Sequence, residues 1–164
     1  MRRVVSGGQT GVDRGALDAA RAAGVPIGGW VPRGRWAEDG VVPDAYAELR
    51  EAPSADPAER TRRNVEDSDG TLLLSHGALA GGSALTRRLA EQLGKPCLWL
   101  DLDATGAADA SAQARAWIDR HAIGVLNVAG PRGSEDPRGY SAAFELIAAV
   151  ARVPCGADRE TSEA

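Results

Sequence analysis

Lysine is nearly missing from these 164 residues: of 19 basic side chains, only Lys95 is a lysine and the rest are arginines. Phenylalanine occurs once, and tyrosine, histidine and cysteine twice each. Cys97 and Cys155 have neither metal-ligand spacing nor the density of a secreted disulfide scaffold. Cys97 lies in an apolar run and reads as a small buried hydrophobe. No apolar run approaches the ~20 residues that cross a bilayer. The opening Met1-Arg2-Arg3-Val4 is not followed by the apolar stretch of a signal peptide. The expectation is therefore a cytoplasmic protein with no membrane partner. A net charge of −4 argues against a broad nucleic-acid-binding surface. No HExxH, CxxC or GxSxG pattern occurs, so no catalytic residue or metal ligand is assigned.

What is present suits one globular domain. Hydrophobic residues make up 43% and charged residues 26%, both close to the globular average. Short apolar runs alternate with amphipathic stretches, the pattern of an α/β domain with a parallel sheet. Strands are expected at 3–6, 26–31, 71–75, 96–100 and 125–128. Helices are expected from Val12 to a stop at Gly24, at 57–66, through Leu85, Leu89 and Leu93 to a stop at Gly94, at 107–121 and at 141–153. The fold class expected is a single Rossmann-like, three-layer α/β domain over 1–154, with a mostly parallel sheet of about five strands. Residues 155–164 are polar and aperiodic and read as a disordered tail.

In such sheets ligands bind beyond the carboxyl ends of the strands, near a point where strand order reverses. Ser6-Gly7-Gly8-Gln9-Thr10-Gly11-Val12-Asp13 is a strand, a glycine-rich turn and a helix start. Free amides and positive helix-end potential there suit an anion, and a tight turn with Thr10 or Asp13 as a cap is the competing reading. Gly81-Gly82-Ser83 repeats the arrangement after the third main strand, with Ser83 as the expected cap. Arg132, in the loop after the last strand, could clamp phosphate, and Asn127 could fix backbone or a heterocycle edge. Trp30, Arg33, Arg35 and Trp36 follow the second strand and could stack on a planar ligand or bind its charge. His76 faces the same edge without an evident partner, and Asp13, Glu38 and Asp39 could converge. By contrast, Asp67-Ser68-Asp69-Gly70 precedes a strand and reads as structural, and His121 reads as a helix-end residue.

The string from Ser6 to Asp13, the run Gly29-Trp30 through Gly40, and Gly81-Gly82-Ser83 resemble the molybdenum-cofactor carrier family. Arg60-Thr61-Arg62-Arg63-Asn64-Val65, Ser68-Asp69-Gly70-Thr71-Leu72 and Asn127-Val128-Ala129-Gly130-Pro131-Arg132 resemble it in the same order. The resemblance spans about residues 3 to 150. It implies a Rossmann-like domain, usually oligomeric as dimer or tetramer, that carries the molybdenum cofactor as cargo and could deliver it to a molybdoenzyme. The cargo is a small anionic phosphorylated pterin bearing a dithiolene-bound oxomolybdenum group. The cofactor-binding residues so expected are Gly7, Gly8, Gln9, Thr10, Gly11, Trp30, Arg33, Arg35, Gly81, Gly82, Ser83 and Arg132. The wider group includes phosphoribohydrolases with Pro-Gly-Gly-x-Gly-Thr and a catalytic glutamate soon after. Here Ala80 precedes Gly81-Gly82, and Arg87, Arg88 and Leu89 follow Thr86, so that glutamate is absent. This departure favours binding over hydrolysis. The alternative is a nucleotide- or ADP-ribose-type ligand, bound or processed with Asp13 or Glu38 as acid/base.

Overall fold

Three consecutive leucines, Leu72, Leu73 and Leu74, have no solvent exposure, which only a strand covered on both faces permits. They lie in β7 (Gly70–Ser75) of the computed structural model, which describes residues 1–152. The element order is β1 (Arg3–Val5), α1 (Val12–Ala22), β2 (Ile27–Gly28), β3 (Trp30–Val31), β4 (Trp36–Ala37), β5 (Gly40–Val41), a 3-10 turn at Asp44–Tyr46, β6 (Arg50–Glu51) and α2 (Pro57–Glu66). After β7 come α3 (Gly81–Gln92), β8 (Cys97–Asp101), α4 (Ala107–Arg120), β9 (Val125–Ala129) and α5 (Gly139–Ala151).

Five strands form one sheet in the order β2-β1-β9-β7-β8, and every neighbouring pair is parallel. The Rossmann-like three-layer α/β class is therefore borne out. Helices α1, α4 and α5 pack together on one side, and α2 and α3 on the other. The chain steps outward from β1 to β2, then from β7 to β8 in the opposite direction, and β9 returns to the centre. The carboxyl ends of β1, β9 and β7 therefore lie side by side at the reversal.

The punctuation residues behave as expected at both helix stops. Gly24 and Gly94 take positive φ, 73° and 64°, just after α1 and α3. Helix α2 begins with Pro57 at its first position, and Asp56 accepts the Ala58 amide at 2.9 Å. The expected strand 26–31 instead breaks at Gly29. There φ is 130°, and a Cβ would collide with the Ser6 carbonyl oxygen. Residues 27–28 stay in the main sheet, and 30–31 leave it to pair with β6. The helix expected at 141–153 starts earlier, at Gly139, and Val153 and the expected tail lie outside the described residues.

At Gly15 the backbones of α1 and α5 approach so closely that a Cβ would fall on the Tyr140 carbonyl oxygen. Gly15→Ala is expected to cost about 1–3 kcal/mol through overpacking. A lower urea midpoint at unchanged slope would show it. An unchanged midpoint would mean the two helices can part without loss.

Candidate functional site

A cavity of about 190 Å³ opens where the carboxyl ends of β1 and β9 meet the amino-terminal turns of α2 and α3. Of the expected residues it brings together Gln9, Gly82, Ser83 and Arg132, and it adds Asp13 and Arg60. Among the described residues no group of three or more His, Cys, Asp or Glu side chains is arranged to hold a metal ion.

The glycine-rich turn after β1 already holds an anion, the carboxylate of Asp13. Its Oδ2 accepts the Gln9 amide at 3.2 Å. Burial pushes the Asp13 carboxyl above its ordinary range, and the Arg60 guanidinium 3.5 Å away opposes that shift. A Cβ at Gly7 would fall on the end of the Arg60 guanidinium, which would have to leave its place beside Asp13 to admit a side chain. Gly8 has φ of 70°, and a Cβ there would come within 2.8 Å of Leu49, inside the packing of the loop that follows β2. Gly11, at φ 78°, lets the backbone of Pro131 and Arg132 cross it: a Cβ would lie 2.6 Å from the Pro131 oxygen. Helix α1 has no side-chain cap, so neither Thr10 nor Asp13 acts as one.

Thr10 and Glu38 instead join three loops. The Thr10 hydroxyl accepts the Gly133 amide at 3.0 Å and bonds to Glu38, which also takes the Ser134 amide and hydroxyl. These hydrogen bonds, led by that from Ser134, hold the Glu38 carboxyl below its usual range. A depressed folded-state pKa stabilises above the ordinary carboxylate range and loses that contribution as pH falls through the folded value. Amide exchange at Gly133 and Ser134 should therefore accelerate, relative to intrinsic rates, as the solution is acidified below that range. A rate that tracks the intrinsic one would contradict the latch. Asp39 pairs separately with Arg14 through two bonds of 2.6 and 2.9 Å, so Asp13, Glu38 and Asp39 hold distinct partners and do not converge.

Among the described residues, the cavity wall retains donors with no acceptor. Arg60 Nε is buried and unbonded. Ser83 is only 5% exposed and makes no side-chain hydrogen bond among the described residues. It sits in the third position of α3, whose flanking residue is Ala80, so Ser83 is not the cap the sequence suggested. Gly81 and Gly82 face open space, and their amides begin a helix without intrahelical acceptors. Gln9 uses Oε1 for the amides of Thr10 and Glu38, leaving its Nε2 donors free beside the cavity. Arg132 lies over the rim, 3.2 Å from Glu135 and 4.0 Å from Glu38.

Other expected residues lie elsewhere. Arg35, at φ 56°, donates to the carbonyls of Leu49 and Tyr46 at 3.0 Å and ties down its own loop. Arg33 is exposed, and its amide bonds the Ser54 carbonyl. Trp30 lines a separate groove beside β2, with Nε1 donating to Asp67 at 2.8 Å and Arg63 over its ring. Trp36 is 63% exposed on the β4–β5 hairpin. Asn127 is buried and donates to Thr71 Oγ1 at 3.2 Å within the sheet. Asp69 accepts the Gly124 and Val125 amides, and His121 flanks the end of α4, both structural as read from the sequence. His76, by contrast, has a partner in Asp136, with Nδ1 and Oδ2 2.6 Å apart.

Sequence reasoning missed Arg60 as a cavity residue and Asp136 as the partner of His76. Arg60 was visible only as part of a family segment, and its position 47 residues from Asp13 leaves no local spacing to read.

Among the described residues, no helix is long and apolar enough to cross a membrane. No curated protein matches the sequence. A crystal structure from Syntrophus aciditrophicus, of a protein provisionally named a molybdenum carrier protein, is 51% identical and superposes with a TM-score of 0.89. The alignment covers 92% of this chain and 94% of that one. The resemblance read from the loop motifs is thereby borne out. The model of the circularly permutated YpsA SLOG family matches residues 4–151, nearly the whole described fold, and the chain belongs to that family.

Proposed function

We propose that the chain binds and carries the molybdenum cofactor, receiving its phosphorylated end in the cavity between Arg60 and the start of α3. The observation that carries this reading is the set of unpaired donors there: Arg60 Nε, the Ser83 hydroxyl, the Gln9 amide group and the first amides of α3. An anion supplies what each of them lacks, and charge-assisted bonds of this kind contribute about 1.5–3 kcal/mol apiece.

The volume constrains how the cargo sits. About 190 Å³ is below the ~300–1,000 Å³ usual for an entire small ligand, so the cavity takes the anionic end and leaves the pterin over the rim. Gln9, Gly81, Gly82, Ser83 and Arg132 then contact the ligand. Gly7, Gly8, Thr10 and Gly11 shape the turn that holds Asp13 and the β9 loop in place, and Trp30, Arg33 and Arg35 serve the surrounding structure. In this reading a cytoplasmic homo-oligomer hands the cofactor to a recipient molybdoenzyme.

Thermal unfolding tests the assignment with molybdenum cofactor, AMP, ADP-ribose and molybdate added separately. A ligand at ~100 times its Kd stabilises by about 2.7 kcal/mol, or roughly 5–10 °C for a chain of this size. The expected result is a shift of that order with the cofactor and none with the nucleotides. A shift with AMP or ADP-ribose alone would overturn the carrier reading in favour of a nucleotide ligand.

A further inference from the structure

A second, larger cavity lies beyond the carboxyl ends of β7 and β8, between α4 and α5, with a volume of about 420 Å³. Nothing in the carrier reading uses it. Its walls are mostly alanine and leucine, among them Ala108 and Ala142, with Leu102 and Leu146. Small side chains on facing helices leave room that larger ones would fill.

One polar group in it is held in place by its surroundings. His76 has only 11% of its side chain exposed, and its Nδ1 meets Asp136 Oδ2 at 2.6 Å. Asp136 is itself buried, and its other oxygen accepts the Arg138 amide at 3.1 Å. A carboxylate can only accept, so Nδ1 carries the hydrogen, and Nε2 is the acceptor of the ring in its neutral form. Ser111 is occupied with the Ala107 carbonyl at 2.9 Å. Among the described residues Glu145 lies at the wall without a cationic partner, and no arginine or lysine lines the cavity. The positive end of α4 is offset by Asp109 in its first turn. The carboxylates of Asp136 and Glu145 disfavour an anion, whereas the apolar walls favour a hydrocarbon or aromatic body.

We propose that this cavity is a second binding site, for a small uncharged molecule with an apolar body and one hydroxyl or amino group donating to His76 Nε2. The site is chemically opposite to the anion-seeking cavity across the sheet edge, and its occupancy does not depend on the carrier assignment.

Phenol, toluene and benzoate are suitable probes, followed by NMR titration with ¹⁵N observation of the His76 ring. Phenol should saturate and bind roughly threefold to tenfold more tightly than toluene, the difference one hydrogen bond makes. Phenol, but not toluene, should move the Nε2 resonance, and benzoate should not bind. Ala142→Leu and Ala149→Leu, which fill the space from opposite ends of one wall, should abolish phenol binding while leaving the unfolding temperature within a few degrees. Absence of saturable phenol binding would overturn the proposal, as would equal binding of benzoate or phenol binding that survives both leucine variants. A change in solution mass in those variants would also overturn it, because a second copy of the chain would then cover this face.

Discussion

Asp13→Ala is expected to destabilise the protein by about 3–5 kcal/mol, a large share of the stability of a domain this size. The carboxylate is 4% exposed and does two jobs at once. It accepts the amide of Gln9, and it is the counter-ion of Arg60, whose side chain is itself only 17% exposed. Truncation leaves the Gln9 amide without its acceptor and a largely buried guanidinium without its partner. Asp13→Asn keeps an acceptor oxygen and should cost less than alanine. Urea unfolding of both variants at neutral pH checks the order, and an alanine variant as stable as the parent would remove the pair from the account. The pH dependence has a definite sign. Burial raises the Asp13 pKa in the folded state, so its titration costs nothing below the unfolded value and takes stability away as pH rises through the folded one, while the Gln9 and Arg60 contacts that alanine removes remain at neutral pH. Removing the group should therefore flatten that limb of the stability profile.

Gly82→Asp should weaken binding of the anionic cargo about a hundredfold while leaving stability unchanged or slightly higher. Its φ is not in the left-handed region, and a Cβ there meets no atom within 4 Å, so the backbone accepts a side chain. A carboxylate in the first turn of α3 favours the helix by about 0.3–1 kcal/mol. The same charge sits where the incoming anion must go and competes for the same amides. Losing one or two charge-assisted bonds corresponds to roughly ten- to several hundredfold in affinity. Calorimetric titration beside a denaturant curve separates the two effects. Wild-type affinity in a folded Gly82→Asp protein would place the anion elsewhere. A substitution at Gly8 offers no such test, because its Cβ would strike Leu49 in the packed loop above.

The architecture was legible because each long element carries its own signal. Leu85, Leu89 and Leu93 announce α3, the leucine run announces a strand covered on both faces, and Gly24 and Gly94 announce the stops. The break at Gly29 was not legible, since it follows from the Ser6 carbonyl, 23 positions earlier, lying where a side chain would be. Much of the candidate site was readable for a related reason. Gly82, Ser83, Gln9 and Arg132 occupy loops that the strand-end rule selects without knowledge of distant partners. The glycines after β1 looked like ligand contacts, yet their freedom accommodates Arg60, Leu49 and the β9 loop, each brought in from far along the chain. Arg35 and Trp30 have the residue types of a binding loop but satisfy carbonyls and Asp67 of the protein itself. Composition identifies groups able to bind; only the packing shows which of them are already bound.

The most direct test is a crystal structure of the protein with molybdenum cofactor bound. The account requires the phosphate between Arg60 and the amino-terminal turn of α3, within hydrogen-bonding distance of Ser83, with the Asp13–Arg60 pair intact. A phosphate seated in the groove beside Trp30, or against the amides of Gly7 and Gln9 with Asp13 displaced, would contradict it.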